Sequence, residues 1–75
     1  MKWEHLGAAI VSTDGPFRYL ISPQRLDTRD GEYSMWQAWR LQSPSSIDIG
    51  CYASPMIAQE AAEADTRRLM DMAPQ

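Results

Sequence analysis

The feature that most constrains the fold is a long segment near the C-terminal end that contains no helix-breaking residue. Ser54 is a good helix-capping residue, and Pro55 follows at the first helical position, where its missing N–H is tolerated. Residues 56–72 contain neither glycine nor proline, so we predict a helix over residues 55–72. Its small and apolar side chains recur at three-and-four spacing, which requires one stripe of the helix to be buried. That stripe contains Ala58, Ala61, Ala62, Asp65, Leu69 and Met72.

Asp65 is the one carboxylate inside this stripe. A buried carboxylate must be hydrogen-bonded or paired with a cation. A tryptophan N–H, a tyrosine O–H or an arginine elsewhere in the chain would serve as its partner. We therefore interpret Asp65 as a structural tether between the helix and the rest of the domain rather than as a catalytic group.

The chain before the helix consists of β-branched or alternating runs separated by turn residues. Asp14-Gly15-Pro16 and a turn around Pro44 end two of these runs. The polar segment 23–32, which ends in Asp30-Gly31, is predicted to be a long, mobile loop. The predicted strands cover residues 8–13, 17–22, 33–41 and 47–52.

Consecutive strands followed by one amphipathic helix predict an α+β fold, with all 75 residues in a single small soluble domain over 1–75. The architecture is a three- to four-stranded antiparallel β-meander with the C-terminal helix packed on one face. A domain of this size has a modest stability of about 3–5 kcal/mol. The second face of the sheet is left open to water, which makes it either a binding surface or a homodimer interface.

The charge and hydropathy of the chain limit the classes of molecule that we expect it to bind. The chain has seven Lys and Arg against ten Asp and Glu, a net charge of −3. Nucleic-acid binders usually carry a basic face, so a protein with a basic surface is the favoured partner. No apolar run reaches the ~20 residues that a membrane span needs, and Met1-Lys2-Trp3-Glu4-His5 does not begin a signal peptide. We therefore expect a cytoplasmic protein with no membrane partner.

The sequence contains no recognisable catalytic or metal-binding constellation. His5 precedes the first predicted strand, and Cys51 lies in an alternating strand that predicts a buried, inert thiol. These are the only His and Cys, whereas a closed structural zinc site needs four ligands. We predict no catalytic residue, no cofactor and no metal, and thus no enzymatic activity.

The candidate contact surface comes from the third predicted strand. Trp36 and Trp39 fall on opposite faces of that strand unless a bulge intervenes. If Trp39 faces the helix together with Met35, then Trp36 faces outward beside Arg40. Tryptophan and arginine are the residues most enriched at interface hot spots. The predicted partner-binding residues are Arg18, Leu20, Trp36 and Arg40.

Two alternatives to this outward position of Trp36 stay open. A bulge would turn the Trp36 ring inward, or Trp3 would fold over it. Either arrangement would remove the ring from the proposed surface and leave it as part of the core.

Several segments resemble short hypothetical proteins of bacteriophages and prophages. They are an early tryptophan, the strand Phe17-Arg18-Tyr19-Leu20-Ile21, the run Ile49-Gly50-Cys51-Tyr52-Ala53-Ser54 and the helical Ala58-Gln59-Glu60-Ala61-Ala62-Glu63-Ala64-Asp65. The extended segment 23–32 departs from that pattern. The resemblance implies a phage-encoded protein, and anti-CRISPR proteins are similar in size, in acidic charge and in their lack of catalytic motifs.

We therefore expect a non-catalytic protein-binding module that inhibits a host defence complex in the manner of an anti-CRISPR protein. One alternative is a small nucleic-acid-binding regulator that uses the sheet aromatics as stacking platforms. Another is an uncharacterised phage structural or accessory protein.

Overall fold

The computed structural model describes residues 1–42 and 45–72, and these form five strands and one helix. The strands make one antiparallel sheet in chain order. The α+β class is confirmed, but the sheet has five strands rather than three or four, and the predicted turn at Pro44 lies outside the described residues. The elements are β1 Trp3–Leu6, β2 Ala9–Ser12, β3 Arg18–Thr28, β4 Gly31–Gln42, β5 Ser45–Tyr52 and α1 Pro55–Met72.

β1 is an additional strand that the sequence analysis missed. It pairs with β2 from Trp3 opposite Ser12 to Leu6 opposite Ala9. Its four residues have no β-branched side chain and no apolar alternation, so they carry no strand signal of their own. The strand is tied to the helix by the Trp3 indole N–H, which donates a 3.2 Å hydrogen bond to Oε2 of Glu63.

The prediction of a mobile loop over 23–32 is wrong. β3 and β4 continue through this segment as a regular ladder that ends with Thr28 opposite Gly31, a two-residue hairpin turn. Pro23 lies inside β3 because the pairing of β2 with β3 ends at Ile21, so the missing N–H falls on an edge. Every residue from 25 to 34 is exposed, and we call this end of the hairpin the arm.

α1 begins where the sequence predicts and extends through Met72, the last described residue. The Ser54 hydroxyl oxygen accepts a 3.2 Å hydrogen bond from the Ile57 N–H, and the Ser54 carbonyl accepts one of 3.1 Å from the Ala58 N–H. Both bonds are those of an N-cap. The buried stripe is shorter than predicted, because Met72 is 72% exposed. The buried residues of α1 are Ala58, Ala62, Asp65 and Thr66.

The core lies between α1 and one face of the sheet, and it is thin. Its buried cluster contains Ile10, Ile21, Ala38 and Ala58. Alanine on both the strand and the helix lets the two backbones approach closely. Among the described residues, only Tyr19 and Ile21 are large side chains that are fully buried.

Candidate functional site

The two faces of β4 carry different side chains from those predicted. Directly paired residues of antiparallel strands point to the same face. Ala38 lies opposite Ile21 and faces the helix, so Trp36 and Arg40 face the helix as well. Leu20 and Trp39 lie opposite each other, and both point to the face of the sheet that is away from the helix.

The predicted surface of Arg18, Leu20, Trp36 and Arg40 is therefore wrong as a single surface. Trp36 packs against the core cluster, and the Arg40 side chain is 13% exposed. Arg18 and Leu20 lie on the opposite face, where Trp39 joins them. The two tryptophans do occupy opposite faces, as predicted, but Trp36 is on the helix side and Trp39 on the other, the reverse of the prediction. The reason is that the alanine-rich helix packs on the small Ala38, which shares a face with Trp36, rather than on the bulky ring of Trp39.

A buried polar network joins the sheet to the helix around Asp65, which is 6% exposed. Its Oδ2 accepts hydrogen bonds from the Tyr19 hydroxyl at 2.8 Å and from Arg40 NH1 at 2.7 Å. Its Oδ1 accepts one from Arg68 NH2 at 2.6 Å. The Thr66 hydroxyl donates to the Tyr19 oxygen at 2.7 Å. The predicted role of Asp65 as a tether is confirmed.

The network shifts the pKa values of both central groups. Burial acts to raise the pKa of Asp65, but hydrogen bonds from Tyr19 and Arg40 and the positive charge of Arg40 outweigh it, so the pKa lies below its usual value. Burial is the main reason that the pKa of Tyr19 is raised. Asp65 is thus a charged carboxylate with both oxygens engaged, an arrangement suited to structure rather than to proton transfer.

No helix of the described residues packs on the opposite face of the sheet, and we call it the open face. One row of directly paired residues crosses all five strands. Its three central members are apolar and partly exposed, and its two end members are carboxylates. The row runs Glu4, Val11, Leu20, Trp39, Asp48.

Further apolar side chains lie on the same face outside this row. Leu26 and Tyr33 are opposite each other on the arm and are 45% and 50% exposed. Leu6 and Leu41 are 57% and 40% exposed on β1 and β4. Arg18, opposite Leu41, is the cation of this face at the start of β3. The face is therefore apolar at its centre and again at one pair on the arm, with charges near its margins. The polar side chains of Ser22, Gln24 and Gln37 lie between these two apolar regions.

Cys51 also belongs to the open face and is exposed, so the prediction of a buried thiol is wrong. A register shift in the pairing of β4 with β5 interrupts the simple alternation of β5. The thiol donates a 2.8 Å hydrogen bond to Gln37 Oε1, and Gln37 Nε2 donates to Asp48. No group of three potential metal ligands is found among residues 1–42 and 45–72.

Concave regions lie on both sides of the sheet, and two of them border the residues described above. A groove of about 520 Å³ lies between β5 and α1, with Arg40 and Arg68 at its wall. A smaller hollow of about 370 Å³ on the open face is lined by residues that include Leu6, Val11, Leu41, Glu4 and Arg18. In the described part of the chain, no helix is long and apolar enough to cross a membrane.

Comparisons of the chain with protein-family models, with curated proteins and with solved structures gave no match.

Proposed function

We propose that the chain is a non-catalytic protein-binding module and that the open face contacts its partner. The observation that carries the proposal is the apolar centre of the row across the sheet, where Val11, Leu20 and Trp39 lie side by side without a helix to cover them. A contiguous apolar patch on a small domain marks an interaction surface more often than chance exposure.

The distribution of side chains on the open face matches the anatomy of protein interfaces. Such interfaces have an apolar, aromatic centre that is depleted of charge, and a polar rim. Trp39 occupies the centre, while Glu4 and Asp48 lie on the two edge strands. Tryptophan in a central position is the commonest kind of hot-spot residue.

The proposed surface keeps two residues of the sequence-based prediction, replaces one and omits one. Arg18 and Leu20 remain, and Trp39 takes the place of Trp36. Arg40 leaves the surface because its guanidinium is bonded to Asp65 at 2.7 Å.

The resemblance to phage proteins makes an inhibitor of a host defence complex the specific form of this proposal. A net charge of −3 favours a partner with a basic surface, because opposite charges speed association. The phage origin rests on the sequence motifs quoted above, whereas the docking surface rests on the pairing of the strands.

Affinity capture from a bacterial host lysate tests the proposal when wild-type protein is compared with a matched pair of variants. Trp39→Ser removes the centre of the open face, and Met70→Ser removes a side chain that is 59% exposed on the helix. We expect the captured protein to be lost with Trp39→Ser and retained with Met70→Ser, with both variants folded by circular dichroism. Equal capture by all three proteins contradicts the proposal.

A second candidate function is the binding of single-stranded nucleic acid. Tyr33 and Trp39 are both on the open face together with Arg18, and aromatic side chains on a sheet are stacking platforms for bases. The acidic net charge opposes it. A gel-shift measurement with labelled single-stranded DNA at low salt tests this candidate, which requires a shift that weakens in Tyr33→Leu.

A further inference from the structure

We infer that the protein bound by the open face is a second copy of this chain, so that the working unit is a two-fold symmetric dimer. The inference rests on the proposed function, because it keeps the open face as a protein-binding surface. It differs in the occupant, which is an identical chain instead of a host protein. In such a dimer each chain presents the same patch, and that patch must be complementary to itself.

The accessible surface of the chain is larger than a compact monomer of its mass needs. It measures 5474 Å², whereas the usual relation for a chain of 8.5 kDa gives roughly 4,700 Å². The excess is roughly 800 Å², about the area that each partner contributes to a standard protein interface. The uncovered face, together with Leu26 and Tyr33 of the otherwise polar arm, holds apolar surface of the kind that such an interface buries.

The core of the single chain is small for a domain without other means of stabilisation. Tyr19 and Ile21 are the two large side chains that are fully buried among the described residues. The sequence has one cysteine, so an intrachain disulfide cannot form. Small domains with a limited core are commonly stabilised by association, and packing two open faces together would give this chain a second core centred on Trp39.

The charges of the open face allow it to meet a copy of itself. Its row carries Glu4 and Asp48 at opposite ends, and Arg18 lies at the start of β3. Two carboxylates against one arginine leave little net charge to repel an identical face, and these charges lie at the margins, where water screens them. The hollow of about 370 Å³ beside Leu6 has a mixed lining that includes Glu4 and Arg18 as well as apolar side chains. It offers room for an amphipathic side chain, and Trp39, with its indole N–H, supplies one on the same face.

Sedimentation equilibrium tests the dimer directly. We expect wild-type protein at high micromolar concentration to have twice the 8.5 kDa mass of the chain. Leu20→Lys places a charge in the centre of the face and should shift the mass to that of one chain. Met70→Lys makes the same chemical change on the exposed side of α1 and should leave the dimer intact. A monomeric wild-type protein, or a Leu20→Lys variant that remains dimeric, overturns the inference.

A second variant keeps the test decisive if Leu20→Lys does not fold. Leu41→Lys changes a side chain of the same face that is already 40% exposed, and it should also weaken association.

Failure of the dimer is distinguishable from failure of the proposed function. A monomer whose lysate capture is lost with Trp39→Ser excludes the dimer and supports a different protein on the open face, while a dimer without lysate capture excludes the host partner alone.

Discussion

The phenolic hydroxyl of Tyr19 donates a 2.8 Å hydrogen bond to Oδ2 of Asp65 and so joins β3 to α1 across 46 positions of the chain. Arg40 on β4 donates to the same oxygen at 2.7 Å. Three elements thus converge on one carboxylate, and this convergence fixes which face of the sheet the helix covers. The open face is the consequence, because a single helix of this length covers one side only.

Removal of the Asp65 carboxylate should be severely destabilising. In Asp65→Ala the Arg40 guanidinium, with 13% of its side chain exposed, keeps its charge and loses its partner. Breaking a buried ion pair in this way typically costs about 3–5 kcal/mol, which is of the order of the whole stability expected for a domain of this size. Urea unfolding followed by circular dichroism measures the effect.

Asp71→Ala is the matched control, since Asp71 is an exposed carboxylate on the same helix. Its free energy of unfolding should lie within about 0.5 kcal/mol of the wild-type value. Similar losses in the two variants would mean that Asp65 is not the tether.

The two arginines bonded to Asp65 should contribute unequally. The Arg68 side chain is 67% exposed, so solvent screens its ion pair and Arg68→Gln should cost less than about 1 kcal/mol. Arg40→Gln removes a charged hydrogen bond from a buried site and should cost about 1.5–3 kcal/mol. Urea midpoints of the two variants compare these losses, and an Arg68→Gln variant as unstable as Arg40→Gln would contradict the assignment.

Stability should fall in acid because of the same carboxylate. The pKa of Asp65 is lower in the folded protein than the ordinary value of 3.8, since Tyr19 and Arg40 stabilise its charged form against the cost of burial. Its contribution is therefore complete above the unfolded pKa and is lost as the pH falls from about 4 through the folded pKa. Free energies of unfolding measured against pH should be steeper in this range for wild-type protein than for Asp65→Asn. Parallel profiles would exclude Asp65 as the source.

Gly50 should resist substitution. Its φ of +149° is a backbone conformation that residues with a side chain rarely adopt, and an added Cβ would lie 3.0 Å from the Tyr52 hydroxyl oxygen. Gly50→Ala should therefore lower the free energy of unfolding by about 1–3 kcal/mol. Combining it with Tyr52→Phe removes the close oxygen but not the backbone strain, so stability should return only in part. Full recovery in the double variant would show that the contact alone is responsible.

The sequence predicts local features of the fold, such as the start of the helix, better than it predicts which strands pair with each other. The start of α1 is correct because Ser54 and Pro55 form an explicit helix start. β1 is missed because its pairing with β2, and not its own composition, makes it a strand. Pro23 wrongly suggested the end of a strand, because a proline disrupts a strand that is paired on both sides. β3 is paired with β2 only as far as Ile21, so at Pro23 it is an edge strand, where a proline is tolerated.

The candidate site depends on which face of the sheet the helix covers. The alternation of side chains along a strand does not determine this. Alternation places Trp36 and Trp39 on opposite faces but does not say which of them the helix covers. The deciding signal is the match between a small residue, Ala38, and the alanines of α1, together with a buried cation on β4 that pairs with Asp65. Sequence reasoning expected an arginine as one possible partner of Asp65, and assigning Arg40 to that role would have placed Trp36 on the helix side as well.

The alkylation rate of Cys51 tests most directly whether the open face is covered by protein. Cys51 is the only cysteine of the sequence, is exposed in the single chain and lies on the open face beside Gln37, so no substitution is needed. At constant pH, its rate of reaction with iodoacetamide should fall as the protein concentration rises through the range in which sedimentation shows the dimer forming. A rate that stays constant across that range would contradict the assignment of the open face as the interface.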